Sequence, residues 1–113
     1  MNVNIDNIDR KMTQEQKDFK ELIVISCMND IDLYNSQAIR FVRKYIPQKA
    51  IDHYLPPDTA FDRETYQIIL HRMIHNYHVM KSLRFEIQFA KDHGREPDPA
   101  DLEQLKVGEE LGF

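Results

Sequence analysis

Tryptophan is absent from these 113 residues, cysteine occurs once, glycine three times and proline five times. Each scarcity excludes something. The single cysteine, Cys27, rules out an internal disulfide, and its apolar neighbours fit a reducing compartment. With glycine confined to positions 94, 108 and 112, no glycine-rich phosphate loop can be assembled. No apolar run approaches the roughly eighteen residues that a membrane span requires. The opening Met-Asn-Val-Asn-Ile-Asp lacks the basic-then-apolar form of a secretory leader, so a cytoplasmic location is expected. Internal repeats, low-complexity tracts and domain linkers are also missing.

What is present suits one globular domain. Hydrophobic residues make up 42% and charged residues 30%, which places the chain among folded rather than disordered proteins. The net charge of −4 is unevenly spread. Residues 1–35 carry four basic and seven acidic side chains, residues 36–91 nine and five, and residues 92–113 two and seven. The basic middle falls far short of the footprint of a DNA-binding domain. It suits an acidic partner or one phosphate-bearing ligand.

The longest uninterrupted pattern runs over residues 62–93. Tyr66, Ile69, Leu70, Met73, Tyr77, Met80, Leu83, Ile87 and Ala90 recur at steps of three and four, the stripe of an amphipathic helix. Asp62 is placed as its N-cap and Gly94 as the residue that ends it. A straight helix of that length spans about 48 Å, whereas a compact chain of this size has a radius of gyration of about 13 Å. Either the helix breaks, near Asn76 or Ser82, or a second chain covers the overhang as a homo-oligomer.

Shorter elements surround it. Residues 1–11 are polar and expected to fray. Thr13 and Gln16 have capping-box spacing ahead of a helix over 14–28, with Phe19, Leu22, Ile23 and Ser26 as its inner stripe. The β-branched run over 22–25 is also compatible with a short strand. Ile31, Tyr34, Ala38, Phe41, Val42 and Tyr45 form the apolar face of the next helix. Residues 48–55 allow one or two turns, and Pro56-Pro57 is a stiff connector. Asp98 followed by Pro99 starts a final helix to about Val107, with Gly108 after it and a C-terminal tail over 108–113 whose end, Leu111-Gly112-Phe113, is apolar. The fold expected is all-α: about four helices in a small bundle, one of them long.

Candidate functional residues fall in three groups. His71, His75 and His78 share the helix face away from Tyr66, Met73 and Tyr77, and Phe85 and Phe89 extend that face. An HxxxH spacing can hold zinc, but Arg72 stands where the zinc-peptidase glutamate would be and no CxxC is present, so no metal or other cofactor is expected. The face reads as a contact surface for a protein partner. Arg40, Arg43 and Lys44, with Tyr45, His53 and Tyr54 nearby, form the second group, which could hold a nucleotide or other anion.

The third group is Arg72 with His78. The run Leu70-His71-Arg72-Met73-Ile74-His75-Asn76-Tyr77 resembles the signature end of HEPN-family helical domains, small α-bundles that often dimerise. The resemblance implies an RNase in which His78 transfers protons and Arg72 binds phosphate, though Met73 replaces the usual polar residue after the arginine. His93-Gly94-Arg95-Glu96-Pro97 and the following helix start are similar to the linker-helix start in region 3 of bacterial sigma factors. That junction is generic and no helix-turn-helix accompanies it. Without a catalytic triad or paired buried carboxylates, the leading expectation is a non-enzymatic adaptor or inhibitor acting through a helix surface.

Overall fold

In the computed structural model residues 11–113 are described, so all but one residue of the N-terminus expected to fray lies outside the described region. Among the described residues there are five helices and no strand. They are α1 (Gln14–Cys27), α2 (Ile31–Tyr45), α3 (Gln48–Tyr54), α4 (Arg63–Asp92) and α5 (Pro99–Glu110). The all-α bundle read from the sequence is thus present, with the turns after Pro47 forming a helix in their own right. No described helix is long and apolar enough to cross a membrane.

Local chemistry fixes the helix ends. Thr13 and Gln16 form a reciprocal capping box, with bonds of 2.8 and 3.1 Å. Asn29 takes the left-handed conformation at φ 56°, and Asp30 then caps α2 by accepting from the Leu33 N–H. Asn29 therefore ends one helix and Asp30 begins the next. Asp62 accepts from Thr65 N–H at 2.7 Å to start α4, and Gly94, at φ 68°, ends it while Arg95 N–H bonds back to Ala90 O. Asp98 accepts from the Ala100 N–H at the start of α5.

The long helix does not break. Its thirty residues run unbroken through Asn76 and Ser82, and Asn76 donates to the Tyr54 hydroxyl of α3 at 2.6 Å. Its length is accommodated by a flat molecule, 48 × 45 × 19 Å, with a radius of gyration of 16.6 Å. Different helices cover different parts of it. Leu70, Met73 and Ile74 belong to the core that α1 and α2 share. Further along, Met80, Leu83 and Ile87 are buried on the side where α5 folds back, with Gly108 against Met80.

Chain direction follows from the contacts. Asp32 pairs with Arg63, Tyr34 meets His71 and Phe41 meets Tyr77, so α2 runs parallel to α4. A parallel pair needs a crossover; α3 and the Pro56-Pro57 connector supply it. In α1 the direction is reversed, because Glu15 meets Tyr77 and Lys81 while Asp18 meets Tyr45.

Two expectations are corrected. The inner stripe of α1 is Phe19, Leu22 and Ile25 with Ser26, not Ile23, which is half exposed. This rotation turns Ile23 toward the gap beside α4. At the other end, α5 does not stop at Val107. It continues through Gly108 to Glu110, because the missing side chain of Gly108 leaves space that the Met80 thioether fills. The tail then packs on its own chain: Phe113 is buried near Tyr54, and its carbonyl accepts from Arg84.

Candidate functional site

The histidine face does not survive as one open surface. α1 lies along it, separated from α4 by a cleft that side chains bridge. His78 leans on Phe19, with ring centroids 4.1 Å apart, and lies 6.0 Å from Phe41. Its Nε2 is buried and has no hydrogen-bond partner. His71 stacks on Tyr34 at 4.3 Å and 18°, and its Nδ1 lies 3.0 Å from the Tyr34 hydroxyl. Of the three imidazoles expected to face solvent, His75 stays exposed, His71 is exposed beside its phenol, and His78 is half-buried. The expectation of a common exposed face is corrected on this point, because α1 covers what periodicity could not assign to any partner.

Burial pushes the ionisation of both His71 and His78 below the ordinary imidazole value of 6.5. At His78 the carboxylate of Glu15 works against this, while Lys81 and His75 add to it. Burial pushes Tyr34 up to about 12, so its hydroxyl keeps its proton beside His71 Nδ1. The mouth of the cleft is tied by Glu15. Tyr77 donates to it at 2.6 Å, Lys81 donates to its other oxygen, and the Lys81 ammonium lies 5.5 Å from the Tyr77 ring. Burial would raise the Glu15 carboxyl, but the bonds from Lys81 and Tyr77 outweigh it and hold the group below its usual range.

Beyond Ser82 the same line of α4 is bare. Phe85 is 66% exposed and Phe89 41%. The two rings stack at 6.2 Å, His93 stacks on Phe89 at 4.1 Å, and the Arg95 guanidinium lies 5.4 Å from the Phe89 ring. This is an ordered aromatic strip, because each ring limits the rotamers of the next. The Phe85–Phe89 part was legible from spacing. The contribution of His93 and Arg95 was not, since it depends on the turn at Gly94.

The basic group divides. Arg40 and Lys44 line a groove between α1 and α2 together with Asp18 and Glu21. Lys44 pairs with Asp18 at 3.1 Å, and Tyr45 donates to the same carboxylate at 2.5 Å. The hydrogen bond from Tyr45, then that from Gln14, and also Lys44 hold Asp18 below its usual range. Arg43 stands apart, where its charge is felt by Tyr66. Two acids thus offset two bases in the groove.

Nor does the fold bring Arg72 to His78 within one chain. Six steps along one unbroken helix set the two about 120° apart around its axis. Arg72 is exposed while His78 faces the cleft. Among the described residues, no three histidine, cysteine, aspartate or glutamate side chains converge as a metal would require. Compared with protein families, with curated proteins and with solved structures, the chain matches none.

Proposed function

We propose that this chain is a non-enzymatic interaction protein, of adaptor or inhibitor type, that binds a protein partner through the far half of α4. One observation carries the reading: the stacked strip of Phe85, Phe89 and His93 with Arg95, left open where α5 covers only the opposite side of the helix. Exposed aromatic residues next to an arginine are the side chains that dominate protein interfaces, because they bury much area with few rotors to immobilise. The partner this strip fits has an apolar surface with a carboxylate at its edge for Arg95.

The test is site-specific photo-cross-linking in cells. A cross-linking amino acid at position 85 or 89 is expected to capture one discrete partner, and the same group at exposed position 103 on α5 is not. Against the captured partner, Phe85→Glu should weaken binding by about thirtyfold or more, the scale of an interface hot spot, with the helical spectrum unchanged. Equal capture from positions 85 and 103 would remove the support for this reading. RNA cleavage by the purified chain, lost on Arg72→Ala in a folded protein, would replace it with the ribonuclease reading.

A further inference from the structure

The cleft between α1 and α4 is distinct from the aromatic strip and has a chemistry of its own. Phe19, Leu22 and Ile23 of α1 and Ile74 of α4 give it apolar walls, and His71, His78 and Tyr34 supply polar atoms. Its volume is about 280 Å³. That is at the lower edge of the range for ligand pockets, so it suits a molecule of one or two rings.

Two features narrow the class of ligand. The cleft already contains one phenol–imidazole pair, with the Tyr34 hydroxyl 3.0 Å from His71 Nδ1 and the rings stacked. His78 lies two helical turns further on, on the same face, and lines the cleft with a second imidazole, whose Nε2 is buried without a partner. A buried polar atom without a partner is rare, and strain, a chemical role or a bound group can account for it. Rotating the ring by half a turn about χ2 exchanges Nε2 with Cε1 and barely changes its outline, so the nitrogen has two positions within a side chain that lines the cleft. Charged ligands are disfavoured. The Glu15 carboxylate acts on His78 from one side, while Lys81 and His75 act from α4, so either sign meets a like charge.

We propose that the cleft binds a small uncharged phenol, its ring against Phe19, Ile23 and Ile74 and its hydroxyl paired with the His78 imidazole. The aromatic strip has no part in this site, so the two readings succeed or fail separately.

The test uses the full chain with p-cresol and toluene as probes, followed by calorimetry. The two differ by one hydroxyl. The unmodified chain should bind p-cresol at one site and about fivefold tighter than toluene, the affinity equivalent of one neutral hydrogen bond. His78→Phe keeps an aromatic ring but removes the nitrogen, and should bring p-cresol to the level of toluene. Cys27→Trp, which places an indole at the wall of the cleft, should weaken both. If His78→Phe does not fold, the imidazole nitrogen resonances of the unmodified chain replace it, and p-cresol should move those of His78 and toluene should not. Equal affinity for the two probes, a preference that survives His78→Phe, or unmoved His78 resonances would overturn the proposal.

Discussion

His78 combines three properties: a ring held between Phe19 and Phe41, a buried nitrogen without a partner, and an ionisation pushed down by burial. His71 shares the last of these. A histidine whose folded-state value lies below its unfolded value of 6.5 favours folding in its neutral form. Its contribution is complete above that value and is lost as pH falls through it toward the lower folded-state value. Stability measured by urea denaturation should therefore decline from about pH 7.5 to pH 5. His78→Phe should flatten the decline, leaving the share due to His71. A slope unchanged in that variant would show that His78 does not feel the burial seen here. Glu15 adds a separate acid limb: its carboxyl is held low, so its contribution is present above 4.5 and fades as pH falls below that value.

At the scale of the element, the helices are set by side chains that act over three or four positions. Thr13, Asp30, Asp62 and Asp98 each accept a backbone N–H two or three residues ahead. The caps at Thr13, Asp62 and Asp98 were readable because both partners lie within one turn. The strand alternative for residues 22–25 fails for the same reason: the capping box commits the chain to a helix before the β-branched run begins. Thr13→Ala should cost about 1 kcal/mol. Hydrogen exchange should localise the loss to the first turns of α1, with α4 amides unchanged relative to the global value. One residue of the inner stripe of α1 was misread, Ile23 for Ile25 two positions on, because residues 22–25 are all apolar and the pattern there does not single out a face.

For the whole molecule, the deciding contacts join residues far apart in the chain. Gly112 adopts φ 108° and passes so close to α3 that a Cβ there would lie 2.6 Å from the Ala50 backbone nitrogen. A backbone atom cannot move aside as a side-chain tip can. Gly112→Ala should therefore cost about 2 kcal/mol or more, from the left-handed backbone and the clash together. It should also release Phe113 from Tyr54, which a denaturation midpoint and the Tyr54 ring resonances would report. Composition and periodicity by themselves determined the helical class, the span of α4, the caps, and the presence of His71, His78, Phe85 and Phe89 along one line of that helix. Only the tertiary structure decided that α1 covers the first half of that line, that α5 leaves the second half bare, and that Lys44 is already paired with Asp18. The physical reason is range. A cap or an apolar stripe is fixed by neighbours within a turn or two, whereas the cover on a helix face depends on how separate helices pack, and any of several helices could have filled that place.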